Sequence, residues 1–214
     1  MRLKRNPDQT REQILQAAFG EFAANGLGGA RVDTIAERAK ANKRMIYHYF
    51  ENKEGLFQAV LERAYEEIRS REQELDMTGR DPEEAIRELV AFTFNYFHER
   101  PEFIRLLNNE NLYNAEHLRS SQKIADLHSP FVEQLGFVLA RGAKSGVFRE
   151  DVDAVQLYIT IAGLTYFYFS NAATLGTIFK RDLMQESARK ERLKHVTNVV
   201  IDYLRLPQIA KKGR

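Results

Sequence analysis

The chain has 214 residues, of which 43% are hydrophobic, so it is long enough for one domain or two small ones with a buried core. It contains no cysteine, which excludes disulfides, cysteine-ligated zinc sites and thiol nucleophiles. No apolar run approaches the roughly 18 residues of a membrane span, and no apolar segment follows the basic N-terminus as in a secretory signal. We therefore expect a cytoplasmic protein that has no membrane partner.

The net charge of +2 is distributed unevenly along the chain. Residues 1–53 contain ten Lys and Arg against six Asp and Glu, whereas residues 54–214 contain 22 against 24. A basic N-terminal part on a mildly acidic remainder is expected when one module contacts phosphates and the other does not. The uneven charge is also consistent with chance variation in surface composition. The sequence motifs have to decide between chance and a module that contacts phosphates.

Two helices are predicted before residue 40. The first runs from Pro7 or Asp8 to about Asn25, with Asn25-Gly26 as a left-handed C-cap. The second begins near Val32, after a sharp turn that contains glycine. Apolar residues recur on one face of each helix at the spacing of an amphipathic helix, so both are expected to pack on a common core.

The segment 34–57, TIAERAKANKRMIYHYFENKEGLF, predicts two short helices joined by a tight turn, and then the start of another helix. Asn42 is a good N-cap for the second helix, because its side-chain oxygen can accept a backbone N–H that has no partner inside the helix. This helix, 43–50, places Ile46 and Phe50 on one face and cations with aromatics on the other. The major groove of DNA admits a helix of this size, so we predict that the exposed face enters it.

The motif T-I-A-x-x-A, a turn, and I-Y-x-Y-F-x-x-K-E-x-L resembles the DNA-binding signature of the TetR family of transcriptional regulators. The resemblance covers residues 8–60 in detail, and the remaining chain by length and helical layout only. Family members often have glycine in the turn where this chain has Lys40, so Lys40 is expected to take a positive φ without glycine's freedom. The residues that carry the motif are Thr34, Ile35, Ala36, Ala39, Ile46, Tyr47, Tyr49, Phe50, Lys53, Glu54 and Leu56.

The resemblance implies an all-α fold with two modules. Residues 1–51 would form a three-helix, helix-turn-helix DNA-binding domain, and residues 52–214 a helical domain for ligand binding and dimerisation. The implied function is a transcriptional repressor that binds a palindromic double-stranded DNA operator as a homodimer and is released by a small-molecule effector. Activation instead of repression stays open, as do the effector and the operator sequence.

We assign the DNA contacts from the position of each residue in or near the helix 43–50, which we call the reading helix. Its first turn reaches deepest into the groove, and Arg bonded through two nitrogens to guanine is the commonest specific contact, so Arg44 is the first choice for base reading. Tyr47 and Tyr49 have the alternative of packing inside the module. A basic arm, Arg2 to Arg5, is expected to follow the DNA backbone or minor groove. The predicted base-reading residues are Lys43, Arg44, Met45 and His48. The predicted phosphate contacts are Arg31, Thr34, Asn42, Tyr47, Tyr49 and Lys53.

Only helices are predicted for the rest of the chain. Pro130 is expected to break or kink one of them. The helix that ends at Phe179 is apolar almost all round in its middle, and such a helix must be buried on all sides. A second copy of the chain is the simplest cover, which would give a four-helix interface. The predicted helices are 52–75, 81–99, one from Pro101, one from Ser120 or Ser121 to Gly142 or Gly146, one from Asp151 or Asp153 to Phe179, and 186–204. The predicted interface residues are Leu157, Leu164, Phe167, Val196, Val199, Val200 and Tyr203.

A ligand pocket is predicted among the helices between residues 81 and 180. Small-molecule sites are mostly apolar cavities with a few aimed polar groups, and this stretch is more polar than a pure core needs. Arg105 would suit an anion and the aromatic residues a ring, whereas the polar cluster 108–111 has the alternative of facing water. The predicted pocket residues are Phe94, Asn95, His98, Arg105, Asn109, Tyr113, His117, Tyr166 and Phe169.

An enzyme is the competing class of protein. The sequence contains neither the HExxH spacing of a zinc protease, nor a GxSxG nucleophile turn, nor a glycine loop that cradles phosphate. We therefore predict no catalytic residue, no metal site and no cofactor. A dimerising scaffold is a third class, and salt-dependent, sequence-selective binding to duplex DNA would distinguish the regulator from it.

Overall fold

The computed structural model describes residues 7–206, except for the side chains of residues 125 and 127–129. The predicted basic arm, Arg2 to Arg5, lies outside the described residues. Within this range the regular elements are all helices, and the only extended pairing is an isolated bridge between Phe148 and Arg205. No described helix is long and apolar enough to cross a membrane. The predicted all-α fold is confirmed. The helices are α1 Pro7–Gly29, α2 Val32–Arg38, α3 Lys43–Phe50, α4 Lys53–Gln73, α5 Pro82–Glu99, α6 Pro101–Leu112, α7 Glu116–Arg119, α8 Gln122–Lys144, α9 Ala154–Ser170, α10 Ala172–Phe179 and α11 Glu186–Leu204.

The chain forms two compact units. The first comprises Met1–Ile68 and Arg100–Leu127, and the second comprises Arg69–Glu99 and His128–Arg214. Helices α4 and α8 each contribute residues to both units. The predicted domains, 1–51 and 52–214, divide the chain by function rather than by compactness, and that functional division stays a prediction.

The first unit is built on α1, which packs against α2, α3 and α6. At its centre the rings of Phe22 and Phe57 meet edge to face, with centroids 5.0 Å apart. The helical part of α1 is interrupted at Gly26, whose φ of 66° and ψ of 174° suit glycine alone. The predicted end of the helix at Asn25-Gly26, with a left-handed C-cap, is corrected to a kink, after which one more turn continues to Gly29.

Local capping sets the start of several helices. The side chain of Asn42 accepts a hydrogen bond from Arg44 N at 2.9 Å, as predicted for α3. Asp81 accepts from Glu83 N at 2.9 Å before α5. Asp153 rather than Asp151 caps α9, because its carboxylate accepts from Gln156 N at 2.8 Å.

The second unit has an apolar core shared by α5, α8, α9 and α11. Pro130 was expected to break or kink its helix, and the break does not occur, since α8 continues through it. The kink stays a prediction. Beyond Pro130, α8 buries Leu135 and Val138 completely, and this packing offsets the single backbone hydrogen bond that a proline removes. The predicted helix to Phe179 is also corrected, because it divides at Asn171 into α9 and α10.

The expectation that a second copy of the chain completes the burial of α9 stays a prediction. One face, with Leu157, Ile161 and Thr165, lies in the core of its own unit. The opposite face carries exposed apolar residues, among them Ile159 and Phe167, each more than half exposed. The helix is apolar all round but covered on one side only within the chain.

Three of the predicted interface residues are therefore corrected. The exposed fractions of Leu157, Val196 and Val200 are 2%, 0% and 1%, so these side chains are already enclosed by their own unit and present no surface to another chain. Leu164 is partly buried against the same core. The exposed members of the prediction are Phe167 at 55%, Val199 at 41% and Tyr203 at 48%.

Candidate nucleic-acid interface

The turn between α2 and α3 is built around Lys40. This residue has a φ of 50°, so the predicted positive φ is confirmed. The turn is closed by backbone bonds from Lys40 N to Glu37 O at 3.0 Å and from Ala41 N to Ala36 O at 2.9 Å. The turn thus keeps its hydrogen bonds although a lysine stands where glycine is conformationally easier.

Helix α3 is held down by its apolar face. Ile46 is fully buried and Phe50 is 5% exposed, as predicted for both. The guanidinium of Arg11 in α1 lies 5.2 Å from the centroid of the Phe50 ring, which adds a cation–π contact to the packing. With this face buried, the opposite face of α3 is left to the surface.

The outward face of α3 carries the predicted base readers. Lys43, Arg44 and His48 are exposed, and Met45 is half-buried. Lys43 Nζ lies 2.8 Å from Asp33 Oδ1 in α2, and this contact raises the pKa of Lys43 and lowers the pKa of Asp33. Lys43 therefore has an ion-pair partner, Asp33, within the protein. To contact a base, Lys43 would have to exchange this ion pair for a contact with DNA. The base-reading role of these four residues stays a prediction.

The predicted phosphate contacts occupy varied positions around α3. Arg31 and Asn42 are exposed, Tyr47 is 43% exposed, and Thr34 is half-buried. Lys53 Nζ donates to Ala30 O at 3.4 Å, so its ammonium lies beside the chain that enters α2.

Tyr49 packs more closely than the other predicted phosphate contacts. Its hydroxyl donates to Pro7 O at 3.4 Å, and its ring lies 5.4 Å from that of His48 and 6.2 Å from that of Phe50. This geometry favours the alternative in which Tyr49 packs within the module.

Sequence reasoning missed Glu21, a buried carboxylate that ties α1 to α2. It is 3% exposed, its Oε1 accepts from Arg31 N at 3.2 Å, and its Oε2 lies 2.9 Å from Arg38 Nη1. The contact with Arg38 is an ion pair rather than a well-directed hydrogen bond. Both ends of α2 are thus attached to one side chain. The signal in the sequence was its spacing from Ile14 and Ala18, which places Glu21 on the apolar face of α1.

The predicted pocket residues are divided between the two units. In the second unit, Phe94 and Phe169 have ring centroids 4.8 Å apart, and His98 stacks on Phe169 at 5.9 Å. Tyr166 contacts Phe97 at 6.0 Å, whereas Asn95 is exposed. Four of the predicted pocket residues therefore contact other aromatic rings in the second unit, namely Phe94, His98, Tyr166 and Phe169.

In the first unit the predicted pocket residues have structural partners. Asn109 Oδ1 accepts from Leu27 N at 2.9 Å, at the kinked end of α1. Within the polar cluster 108–111, Glu110 is 1% exposed and accepts from the backbone of His117 at 2.8 Å and of Leu118 at 3.0 Å. His117 Nδ1 also lies 2.7 Å from Glu110 Oε2.

The other two predicted pocket residues of this unit differ from each other. Tyr113 meets the ring of His117 edge to face at 5.6 Å, and Arg105 is exposed. The pocket role of these residues remains a prediction, but the partners of Asn109 and His117 account for their polarity without a ligand.

An open depression of about 1040 Å³ lies in the second unit, where the α8–α9 connection meets the end of α11. Tyr203, Arg205 and Phe148 are among its lining residues, and none of the predicted pocket residues is. Among the described residues, no group of three or more His, Asp or Glu side chains could hold a metal ion.

The pairing of α2 and α3 through the Lys40 turn, with α1 behind them, defines a helix-turn-helix DNA-binding module. The family model described as bacterial regulatory proteins of the tetR family matches residues 14–60, and the model for a tetracyclin repressor-like C-terminal domain matches residues 82–200. The chain belongs to the TetR family of transcriptional regulators.

Two curated relatives are similar over most of their length. The HTH-type transcriptional repressor NicS of Pseudomonas putida is 39% identical over 198 residues, which cover 92% of this chain and 93% of NicS. The HTH-type transcriptional repressor SCO4008 of Streptomyces coelicolor is 38% identical over 164 residues, covering 75% of this chain and 78% of that protein.

Solved structures share the fold at lower identity. The putative transcriptional regulator SCO4942 of Streptomyces coelicolor has a TM-score of 0.67 at 24% identity, covering 91% of this chain and 98% of its own. FadR of Bacillus subtilis, in complex with stearoyl-CoA, has a TM-score of 0.62 at 20% identity, covering 91% and 99%. These likenesses extend the fold assignment to nearly the whole chain.

Proposed function

We propose that this protein is a ligand-responsive transcriptional repressor that binds a palindromic operator as a homodimer and is released by a small-molecule inducer. The observation that carries the proposal is α3, which is anchored by Ile46 and Phe50 and exposes Lys43, Arg44 and His48. A short helix held in this way presents hydrogen-bond donors at the width of the major groove. Because the proposed site of action is DNA, we propose a cytoplasmic location.

The homodimer is supported by exposed apolar side chains on α9 and α11, two neighbouring helices of the second unit. Ile159 and Phe167 on α9, and Val199 and Tyr203 on α11, are between 41% and 55% exposed. Large apolar side chains grouped on one surface are typical of interaction sites. Joining two copies here would give each assembly two identical reading helices, which require a two-fold symmetric operator.

The inducer step is supported by the family and by its structural neighbours. FadR of Bacillus subtilis was solved with stearoyl-CoA, which is a property of that protein. For this chain we propose a population shift in which the ligand binds better to a conformation that fits the operator poorly. The shift requires a difference in ligand affinity between the two conformations, so operator affinity measured with and without ligand tests it directly.

The test of DNA recognition is a selection of genomic fragments by the full-length protein, followed by binding measurements on the selected sequence and on random duplex at several salt concentrations. We expect a two-fold symmetric sequence that is bound at least about a thousandfold more tightly than random DNA. Equal affinity for both duplexes would reject the operator, and no duplex binding at all would favour the scaffold alternative. Sedimentation of the same samples gives the oligomeric state.

A further inference from the structure

An ion pair joins α2 to α3 among the predicted DNA contacts. Asp33 lies in the first turn of α2 and Lys43 in the first turn of α3. Lys43 Nζ lies 2.8 Å from Asp33 Oδ1, and the side chains of Lys43 and Asp33 are 46% and 65% exposed. In the chain, Asp33 stands between two predicted phosphate contacts, Arg31 and Thr34. A carboxylate is thus placed on the surface that we expect to approach a polyanion.

The carboxyl group of Asp33 is ionised near neutral pH. The hydrogen bond and the charge of Lys43, and after them the charge of Arg31, hold its pKa below the ordinary value of 3.8. An ion pair exposed to solvent contributes little to stability, and a carboxylate beside a lysine cancels part of the attraction of that lysine to phosphate. A carboxylate here can still improve discrimination between DNA sequences, because specificity is a difference of affinities to which repulsion of the wrong target contributes.

The two kinds of acceptor that DNA offers to Lys43 differ in charge. The O6 and N7 atoms of guanine are neutral acceptors. A phosphate oxygen is anionic, so a phosphate that took Lys43 from Asp33 would stand beside the carboxylate and be repelled by it. Phosphates occur in every duplex, whereas a guanine at a given position occurs only in a matching site. The exchange of the ion pair is therefore easier on the matching sequence than on random DNA.

We infer that Asp33 is a specificity-determining residue, which withholds Lys43 from the phosphates of random DNA and yields it to a base of the operator. The inference rests on the proposed repressor function. Asp33 contacts no base in this scheme, and it acts through the position of the Lys43 ammonium. Removing the charge of Asp33 should therefore strengthen the binding of the wrong DNA more than the binding of the right one.

The test measures the binding of the full-length protein to the selected operator and to a random duplex of the same length, by fluorescence anisotropy at several salt concentrations. Asp33→Asn keeps the shape of the side chain and makes Lys43 available to one phosphate. We expect the affinity for random duplex to rise about fivefold at roughly 0.15 M salt, and its logarithm to fall more steeply with the logarithm of the salt concentration, by about 0.9. Operator affinity should rise less, so the ratio of operator to random affinity should fall at least about threefold.

Two further variants serve as controls. Glu37→Gln removes the same charge from another exposed position of α2 and should change the affinity for random duplex less than about twofold. Asp33→Asn/Lys43→Met should return the salt dependence on random duplex to that of the wild type, because the lysine that would contact the added phosphate is gone. Equal effects of Asp33→Asn and Glu37→Gln would overturn the inference. A gain that persists in the double variant would also overturn it, since Lys43 would not be its source.

The same measurements distinguish failure of this inference from failure of the proposed function. A wild type that binds both duplexes equally, or neither, rejects the proposed function, and the role of Asp33 falls with it. A wild type that prefers the operator by a ratio that Asp33→Asn leaves unchanged keeps the proposed function and rejects the role of Asp33 alone.

Discussion

The two units of the molecule bury carboxylates in contrasting ways. In the first unit, Glu110 accepts from two backbone N–H groups and faces His117 Nδ1, and Glu21 joins both ends of α2. In the second unit, Glu72 Oε2 is bonded to Arg69, and Glu72 Oε1 has no hydrogen-bond partner among the described residues. Both oxygens of Glu110 in the first unit have partners, whereas Glu21 Oε2 in the same unit and Glu72 Oε1 in the second have no hydrogen bond among the described residues. Glu21 and Glu110 bond backbone N–H groups, whereas the printed partner of Glu72 is the side chain of Arg69.

The contrast is between a carboxylate bonded to backbone groups and a carboxylate paired with a buried cation. Glu21 contacts both ends of α2, the helix that the Lys40 turn joins to α3. Five measurements can break or sharpen this comparison, and they are ordered from the largest expected effect.

Replacing Glu110 by Ala should have the largest effect. It leaves His117 N and Leu118 N buried without an acceptor and removes the partner of the imidazole, so we expect a loss of about 3–5 kcal/mol in the free energy of unfolding. Urea denaturation measures it. The exposed neighbour Glu116 is the matched control, and Glu116→Ala should cost less than about 1 kcal/mol. Equal costs for the two variants would remove Glu110 from its anchoring role.

The variant Arg69→Met tests the second unit in the same way. Alone it leaves Glu72 buried without a counter-charge and should cost about 3 kcal/mol of unfolding free energy. The double variant Arg69→Met/Glu72→Leu should return to within about 1 kcal/mol of the wild type. A double variant as unstable as the single one would show that the pair serves stability, and the contrast between the units would disappear.

The pH dependence of stability should reveal Glu72. Burial raises the pKa of its carboxyl to about 7, well above the ordinary value of 4.5. The folded protein therefore binds more protons than the unfolded chain between these two values, so the free energy of unfolding falls as the pH rises from 4.5 to 7, by about 3 kcal/mol at most. Urea midpoints across this range, compared with those of Glu72→Gln, isolate the contribution. Parallel pH profiles for both proteins would contradict it.

Changes on the outer face of α3 act on DNA rather than on folding. Arg44→Ala should cost about 1–3 kcal/mol of operator binding and relax one operator position, whereas Lys53→Ala should weaken operator and random duplex alike. Fluorescence anisotropy with operator variants distinguishes the two. Exposed Arg105 in α6 provides the control, and its change to Ala should leave operator affinity as it is. Equal losses on operator and random DNA for Arg44→Ala would reject base reading by this residue.

The smallest effect is expected in the turn. Lys40 has a φ of 50°, which glycine adopts without steric cost, so Lys40→Gly should stabilise the protein by about 0.5–1 kcal/mol. Ala39 has a φ of −74°, where glycine has no such advantage, so Ala39→Gly should destabilise it. Thermal unfolding of both variants provides the comparison, and destabilisation by Lys40→Gly would mean that contacts of the lysine side chain outweigh its backbone strain.

Much of the fold was predictable because its signals are local. The caps at Asn42 and Asp81 act on backbone groups two residues away, and the predicted last helix, 186–204, agrees with α11. The positive φ at Lys40 was predicted because Lys40 stands in the turn where members of the family often have glycine. These features depend on neighbours in the chain, which the sequence displays directly.

The partners of distant residues were not predictable in this way. Leu157, Val196 and Val200 have the same apolar character as Phe167 and Val199, yet the first three are enclosed by their own unit and the last two are exposed. The spacing of apolar residues identifies an apolar face of a helix. It does not say which residues of that face are covered by other helices of the same unit and which stay exposed. The assignment of interface residues failed at that step.

The sequence by itself determined that the chain is helical, where its capped helices begin, and that α3 displays cations beside an apolar anchor, because each of these properties is encoded within a few residues. The tertiary structure alone decided that Glu21 and Glu110 are anchors and that Arg69 is enclosed with Tyr158, 89 residues away. Burial and the pairing of charges are set by residues that meet only when the chain has folded.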